Sequence, residues 1–202
     1  MKQFMKKRWL WIPVISVLSV VLVLLLVRWG GEPISGKPTL TVETPQKLSA
    51  SQTEEFSLDV TISRLGNARY PAMSMSIAFD ASRLEFLGIE EGNLFVLSDE
   101  TGVGQKLPEW SCNVENSNAT GMINIMYLDM TSGRNAFTKE LLAEDYNVVL
   151  RLKFRLRGSV RPGDVLDLTI EDAVFAASDE PQSLATTTDT LKVKNGRLVI
   201  GE

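Results

Sequence analysis

VVLRLKFRL, Val148–Leu156, is the stretch from which the fold is read. Val148, Leu150, Leu152, Phe154 and Leu156 alternate with Val149, Arg151, Lys153, Arg155 and, one step on, Arg157. A period of two puts the first set on one face of an extended strand and the second on the other. The same pattern recurs outward along the chain. Phe56, Leu58, Val60 and Ile62 alternate with Ser57, Asp59, Thr61 and Ser63. Met73, Met75, Ile77 and Phe79 alternate with Ala72, Ser74, Ser76 and Ala78. Leu166, Leu168 and Ile170 alternate with Asp167, Thr169 and Glu171. Turn signals at Gly66, Gly92, Gly121, Gly163 and Gly196 separate these runs. The last of them, Asn195-Gly196, predicts a hairpin between Val193 and Leu198. Eight or nine such strands predict an all-β, two-sheet sandwich over residues 39–201. TKELLAEDY, Thr138–Tyr146, is the one candidate helical turn and would cross between the sheets.

Ahead of this domain stands a different kind of sequence. Trp9 to Val27 is a run of nineteen residues without a charge. As a helix it would span about 28 Å, close to a bilayer's hydrocarbon core. Lys2, Lys6, Lys7 and Arg8 precede it, and Arg28 alone follows closely. Basic residues stay on the cytoplasmic side, so residues 1–8 read as an inner stub and residues 9–27 as one transmembrane signal anchor. Trp9, Trp11 and Trp29 flank the run as interfacial anchors do. A cleaved signal peptide is the rival reading, but its apolar region is shorter and ends at a small-x-small site. The run here ends in LLLVRWGG. Residues 28–38 read as a Gly- and Pro-containing linker, and the domain is expected outside the cell.

Charge and composition narrow the functions. The chain's net charge is -4; its first 28 residues carry five basic side chains and no acid, which leaves the remainder at -9. An acidic exterior domain is a poor match for nucleic acid, which needs clustered Lys and Arg. The single cysteine, Cys112, permits no internal disulfide, and the chain has no histidine. That removes the commonest general base and zinc ligand. Glu54/Glu55, Glu90/Glu91 and Asp99/Glu100 are adjacent acidic pairs. A glycosidase needs two carboxylates facing one another across a cleft. Neighbours on a strand point to opposite faces, so these pairs read as solvated turns and no enzyme is expected. The basic face of Arg151, Lys153, Arg155 and Arg157 reads as a solvated face paired with acids on a neighbouring strand.

GMINIMYLDM, Gly121–Met130, departs from the pattern. Ile123, Ile125 and Tyr127 form one face, and Met122, Asn124, Met126 and Leu128 the other. Both are largely apolar. An outer face of Met and Leu beside a strand of Ala and Ser suits a protein-binding patch, unless a loop or the 138–146 segment covers it. Tyr70 and Trp110 are candidates for stacking on a sugar ring, although Trp110, Cys112 and Val114 share a parity that favours the core. Asn118-Ala119-Thr120 matches a glycosylation acceptor.

SIAFDASRLEFLGIEEGN (Ser76–Asn93), VVLRLKFRLRGSVRPGDVLDLTIEDAVFAASD (Val148–Asp179) and the closing KNGRLVIG together resemble bacterial cohesin domains. The opening TLTVETPQKLSASQTEEFSLDVTI fits as well, with Ala50 and Ser51 where many cohesins have Pro-Gly. The resemblance covers roughly Pro38 to Gly201. It implies a nine-stranded jelly roll that catalyses nothing and binds dockerin modules, the calcium-loaded helical pairs attached to polysaccharide-degrading enzymes. Any calcium would belong to the partner; no cofactor or metal of its own is expected. It also implies a partner face on the third and sixth strands, with Ala72, Ser74, Ser76, Asn124, Met126, Leu128 and Asp129 as its residues. Cohesins often carry an amide and an acid where this chain has Ala72 and Ser74. The leading expectation is a membrane-anchored, cohesin-like module that docks a protein. The alternatives are a surface carbohydrate-binding module and an envelope or adhesion component using the sandwich as a spacer.

Overall fold

The computed structural model describes residues 36–45, 48–96 and 106–202. The anchor, the stub and most of the linker read from the sequence lie outside these residues. Among the described residues no helix is long and apolar enough to cross a membrane.

Lys37–Glu202 forms one compact unit. Its strands in chain order are β1 (Thr39–Val42), β2 (Leu48–Ser49), β3 (Phe56–Ile62), β4 (Ala72–Ala78), β5 (Leu84–Glu91), β6 (Met122–Leu128), β7 (Val148–Leu156), β8 (Val165–Ala176), β9 (Leu184–Ala185), β10 (Lys192–Lys194) and β11 (Gly196–Gly201). One sheet has the order β10-β1-β3-β7-β5; the other has β2-β11-β8-β4-β6, with β9 beside β8. The alternating residues behave as their period requires. Leu58, Val60, Ile62, Met73, Met75, Ile77, Leu150, Leu152, Phe154, Leu166, Leu168 and Ile170 are all buried between the sheets. Eleven strands are formed among the described residues, rather than about nine. Those the sequence did not mark are β2 and β9, of two residues each, which are too brief to show a period.

Except for β8–β9, every pair of consecutive strands lies in different sheets. Turn residues therefore mark crossings. This overturns the hairpin expected at Asn195-Gly196. β10 pairs in parallel with β1, while β11 pairs with β8 and β2. Asn195 accepts a hydrogen bond from the Ile170 amide at 3.0 Å. A Cβ on Gly196 would come within 2.8 Å of Val42, so here glycine lets two strands cross closely.

A seven-residue helix, α1 (Val114–Thr120), stands where the sequence suggested only a turn. Asn113 caps it, accepting from the Asn116 amide at 2.9 Å, and Gly121 closes it at φ 71°. The helix delivers Asn118 to the outer edge of β5. There β5 bulges between Phe86 and Gly88. The Asn118 carboxamide accepts from the Phe86 amide at 2.9 Å and donates to the Phe86 carbonyl at 2.7 Å. One side chain thus stands in for a strand at an open edge. Its nitrogen also donates to the Val114 carbonyl, so the half-buried amide that matches the glycosylation pattern is engaged within the fold. Asn118→Ala should lower stability by about 2 kcal/mol, because two backbone groups lose their partners. A urea melt with unchanged midpoint would show that water replaces them without penalty.

The segment 138–146 contains a short 3-10 helix at Lys139–Leu141. Leu141 is buried and its carbonyl accepts from the Phe95 amide at 2.8 Å. As expected, this segment links β6 to β7, one strand in each sheet.

Candidate functional site

The two outer faces of the sandwich differ in kind. On the first sheet, β3, β7 and β5 present a ladder of ions. Arg151 pairs with Asp59 at 2.9 Å, Lys153 with Glu55 at 2.7 Å and Glu90 at 3.5 Å, and Arg155 with Glu55 at 2.8 Å and Glu85 at 3.4 Å. The basic strand face is matched by acids on its neighbours, as its sequence suggested. The hydrogen bond from Lys153 to Glu55 holds that carboxyl below its ordinary value.

On the second sheet the outer face of β4 and β6 carries no charged side chain, and the exposed charges lie farther across it, at Asp167, Glu171 and Asp172 of β8 and Arg197 of β11. β4 and β6 pair antiparallel, setting Ala72 opposite Leu128, Ser74 opposite Met126 and Ser76 opposite Asn124. Six of the residues singled out from the sequence are thus brought together as three cross-strand pairs. Met126 is 57% exposed and Leu128 56%, and Met130 just beyond reaches 83%. Neither the 138–146 segment nor a described loop covers them. Among the described residues the edge of β6 is closed only locally, where the Ser111 and Met126 backbones exchange hydrogen bonds of 2.8 and 3.0 Å.

β8 supplies the other side of this face. Val174 lies opposite Ser74 and Ala176 opposite Ala72. A register shift between Ser76 and Ile77 reverses the parity of β8, so that Ala173 and Phe175 turn inward and Val174 outward. Reading the alternation of Leu166, Leu168 and Ile170 through this bulge hides both contributors. The reversed alternation in AVFA, Ala173–Ala176, is the signal that finds them. Small side chains on the central β4 lie between longer ones on β6 and β8, which makes a shallow trough. A hollow of about 470 Å³ at its edge is lined by Ser74, Ser76, Ser111, Asn124 and Met126 among others.

Asp129 does not join this face. Its carboxylate accepts from the Thr131 and Gly133 amides, each at 2.7 Å, and from the Thr131 hydroxyl. Burial pushes its carboxyl up, but these hydrogen bonds together hold it below its ordinary value. They fold the turn through Ser132 and Gly133, both at positive φ. Beside it, Tyr127 donates to the Asn135 carbonyl at 2.9 Å, and burial pushes its phenol up to about 12. It therefore stays a donor across the ordinary pH range.

Of the two sugar-stacking candidates, Tyr70 is corrected and Trp110 is half-buried. Tyr70 is 1% exposed, its ring edge-on to Phe175 and its backbone bridged to Phe137. A buried ring has no face to offer. Trp110 packs against the core, with Tyr127 and Phe137 at 5.7 and 5.8 Å between ring centres. Its indole nitrogen is enclosed, with no hydrogen-bond partner among the described residues. Among the described residues no group of three or more carboxylates or thiols is placed to hold a metal ion.

Residues 40–194 match the family model of the cohesin domain. Solved structures share the fold. The OlpC cohesin of a type I cohesin–dockerin complex from Clostridium thermocellum is 14% identical, with a TM-score of 0.59, over 85% of this chain and 97% of that one. The sixth cohesin of scaffoldin B from Acetivibrio cellulolyticus, crystallised with a dockerin, is 18% identical, with a TM-score of 0.57, over 82% and 99%. A non-cellulosomal cohesin from the archaeon Archaeoglobus fulgidus is 14% identical, with a TM-score of 0.53, over 83% and 93%. No curated protein matches the chain.

Proposed function

Because this chain belongs to the cohesin family, we propose that it is a non-catalytic docking module whose partner is a dockerin-type protein module. The observation that carries the reading is the exposed, uncharged outer face of β6 and β4, continued by Val174 and Ala176 of β8, opposite a sheet whose outer surface carries its own ion pairs. Large exposed apolar side chains gathered on one flat face favour burial against a partner. Ala72, Ser74, Ser76, Asn124, Met126 and Leu128 make the contact, and Asp129 supports it by shaping the adjoining loop. Titration of calcium-loaded dockerin modules into the full chain, with and without a chelator, tests this. Saturable binding lost on chelation is expected, since dockerin loops need the ion. If no module binds, the sandwich is a spacer and the reading fails.

The same proposal places the module outside the cell, held by residues 9–27. Its support is the length of the apolar run and the basic residues before it. Mass spectrometry of the membrane fraction should recover Met1–Arg28 joined to the domain. A mature terminus near Gly30 would make the protein secreted instead.

A further inference from the structure

Phe95 and Tyr146 are the two aromatic side chains that stand exposed among the described residues, at 43% and 45%. Neither belongs to the docking face. Phe95 follows the end of β5, and Tyr146 lies just before β7. Their ring centres are 5.7 Å apart and their planes meet at 71°, so the pair forms a corner rather than a platform. The backbone beneath it is fixed. The Phe95 amide donates to the Leu141 carbonyl at 2.8 Å. Ala143 and Tyr146 exchange backbone hydrogen bonds of 3.1 and 3.0 Å, which turns the chain tightly at Glu144 and Asp145. The Asn93 carboxamide splints this turn to β7, donating to the Asp145 carbonyl and accepting from the Val148 amide, each at 2.8 Å.

We infer that this corner, with Glu144 and Asp145 beside it, is a binding site for a quaternary ammonium group. Aromatic faces are the negative ends of a quadrupole and attract cations. Glu144 and Asp145 are exposed, and among the described residues neither carboxylate has an ion pair or a hydrogen bond. Both are therefore free to face a positive charge. The acidic balance of the chain beyond residue 28 draws cations to the surface as a whole. A neutral sugar suits the corner poorly. Ring planes at 71° offer no common face to stack on, and a carboxylate accepts hydrogen bonds but donates none. A primary ammonium is strongly hydrated and keeps its water at so open a place. A quaternary ammonium has no N–H to satisfy, and its methyl groups can touch both rings. The splinted turn holds the corner before the ligand arrives, which lowers the ordering cost of binding.

Choline titrated into the full chain carrying 13C-ring tyrosine tests this. One control is choline's neutral carbon isostere, in which a tert-butyl group replaces the trimethylammonium. The other is N-acetyl-lysine methylamide, which offers a primary ammonium. Choline should shift the Tyr146 ring signals saturably and leave those of the buried Tyr70 and Tyr127 in place. The neutral isostere should bind at least about threefold more weakly, the share that a cation–π contact contributes at an open site. The lysine derivative should also bind more weakly than choline. Phe95→Leu keeps an apolar side chain but removes one ring, and should weaken choline binding at least about threefold. Its thermal melt should not move, because the side chain is exposed. Glu144→Gln combined with Asp145→Asn should weaken choline binding and flatten its salt dependence. No shift at Tyr146, equal binding by the neutral isostere, or tighter binding by the lysine derivative overturns the inference. Unchanged affinity in Phe95→Leu overturns it as well.

Discussion

Phe154→Ala lowers the stability of the domain by about 3–5 kcal/mol, the usual cost of deleting a core aromatic ring. Phe154 is fully buried at the centre of β7. Its ring lies 6.2 Å from that of Phe56, 5.6 Å from Phe79 and 5.5 Å from Phe86. Those four rings come from both sheets, so the cavity left behind sits where the layers meet. None of the surrounding strands can close it without shifting its register. The comparison is Lys153→Ala, one residue away on the opposite face. Lys153 pairs with Glu55 and Glu90, but the group is half-exposed and its loss should cost within about 1 kcal/mol. Urea melts of the two variants check the assignment. Equal losses would mean that the two faces of β7 have been exchanged.

Met126→Asp weakens partner binding by at least about 2 kcal/mol, roughly thirtyfold. The side chain stands in the middle of the docking face, directly across from Ser74. When the partner covers it, an aspartate there loses its water and gains no counter-charge. In the unbound protein the same position is open to solvent, so the fold should lose no more than about 1 kcal/mol. Binding titrations and thermal melts on the same variant separate the two effects. An unchanged affinity with an unchanged melt would move the docking surface to the other sheet or to the loops.

Much of this architecture is legible in the residue pattern. The alternations of Leu58–Ile62, Met73–Ile77 and Leu150–Phe154 mark strands whose inner faces must meet, and they do. The doubly apolar β6 stands apart from the other strands in the sequence, and its outward residues Met126 and Asn124 do lie opposite Ser74 and Ser76. What remains hidden has physical causes. α1 is spelled VENSNAT, with few strong helix formers; it is held by Asn113, Gly121 and the tertiary bonds of Asn118. The break in β8 is a bulge, and a bulge reverses which residues face outward without changing composition. Asp129 looks like an interface acid because its commitment to Thr131 and Gly133 depends on turn geometry. The spacing Asp-x-Thr-x-Gly, Asp129–Gly133, is the local hint of such a turn. Tyr70 and Trp110 resemble binding aromatics only until their neighbours from distant strands are known.

The place of the last strand constrains how this domain can come into being. β11 lies inside the second sheet, between β2 and β8. Until residues 196–201 are available, β8 has no neighbour along Val165–Leu168, and β2 has nothing to pair with. Most connections also change sheets, so the contacts that define the core join residues far apart in the chain. Such topologies fold slowly, because long loops must close before they are rewarded. Assembly of the sandwich therefore waits on residues 196–201. A polypeptide still being synthesised, or still threading through a narrow passage, cannot complete its second sheet before residues 196–201 have emerged.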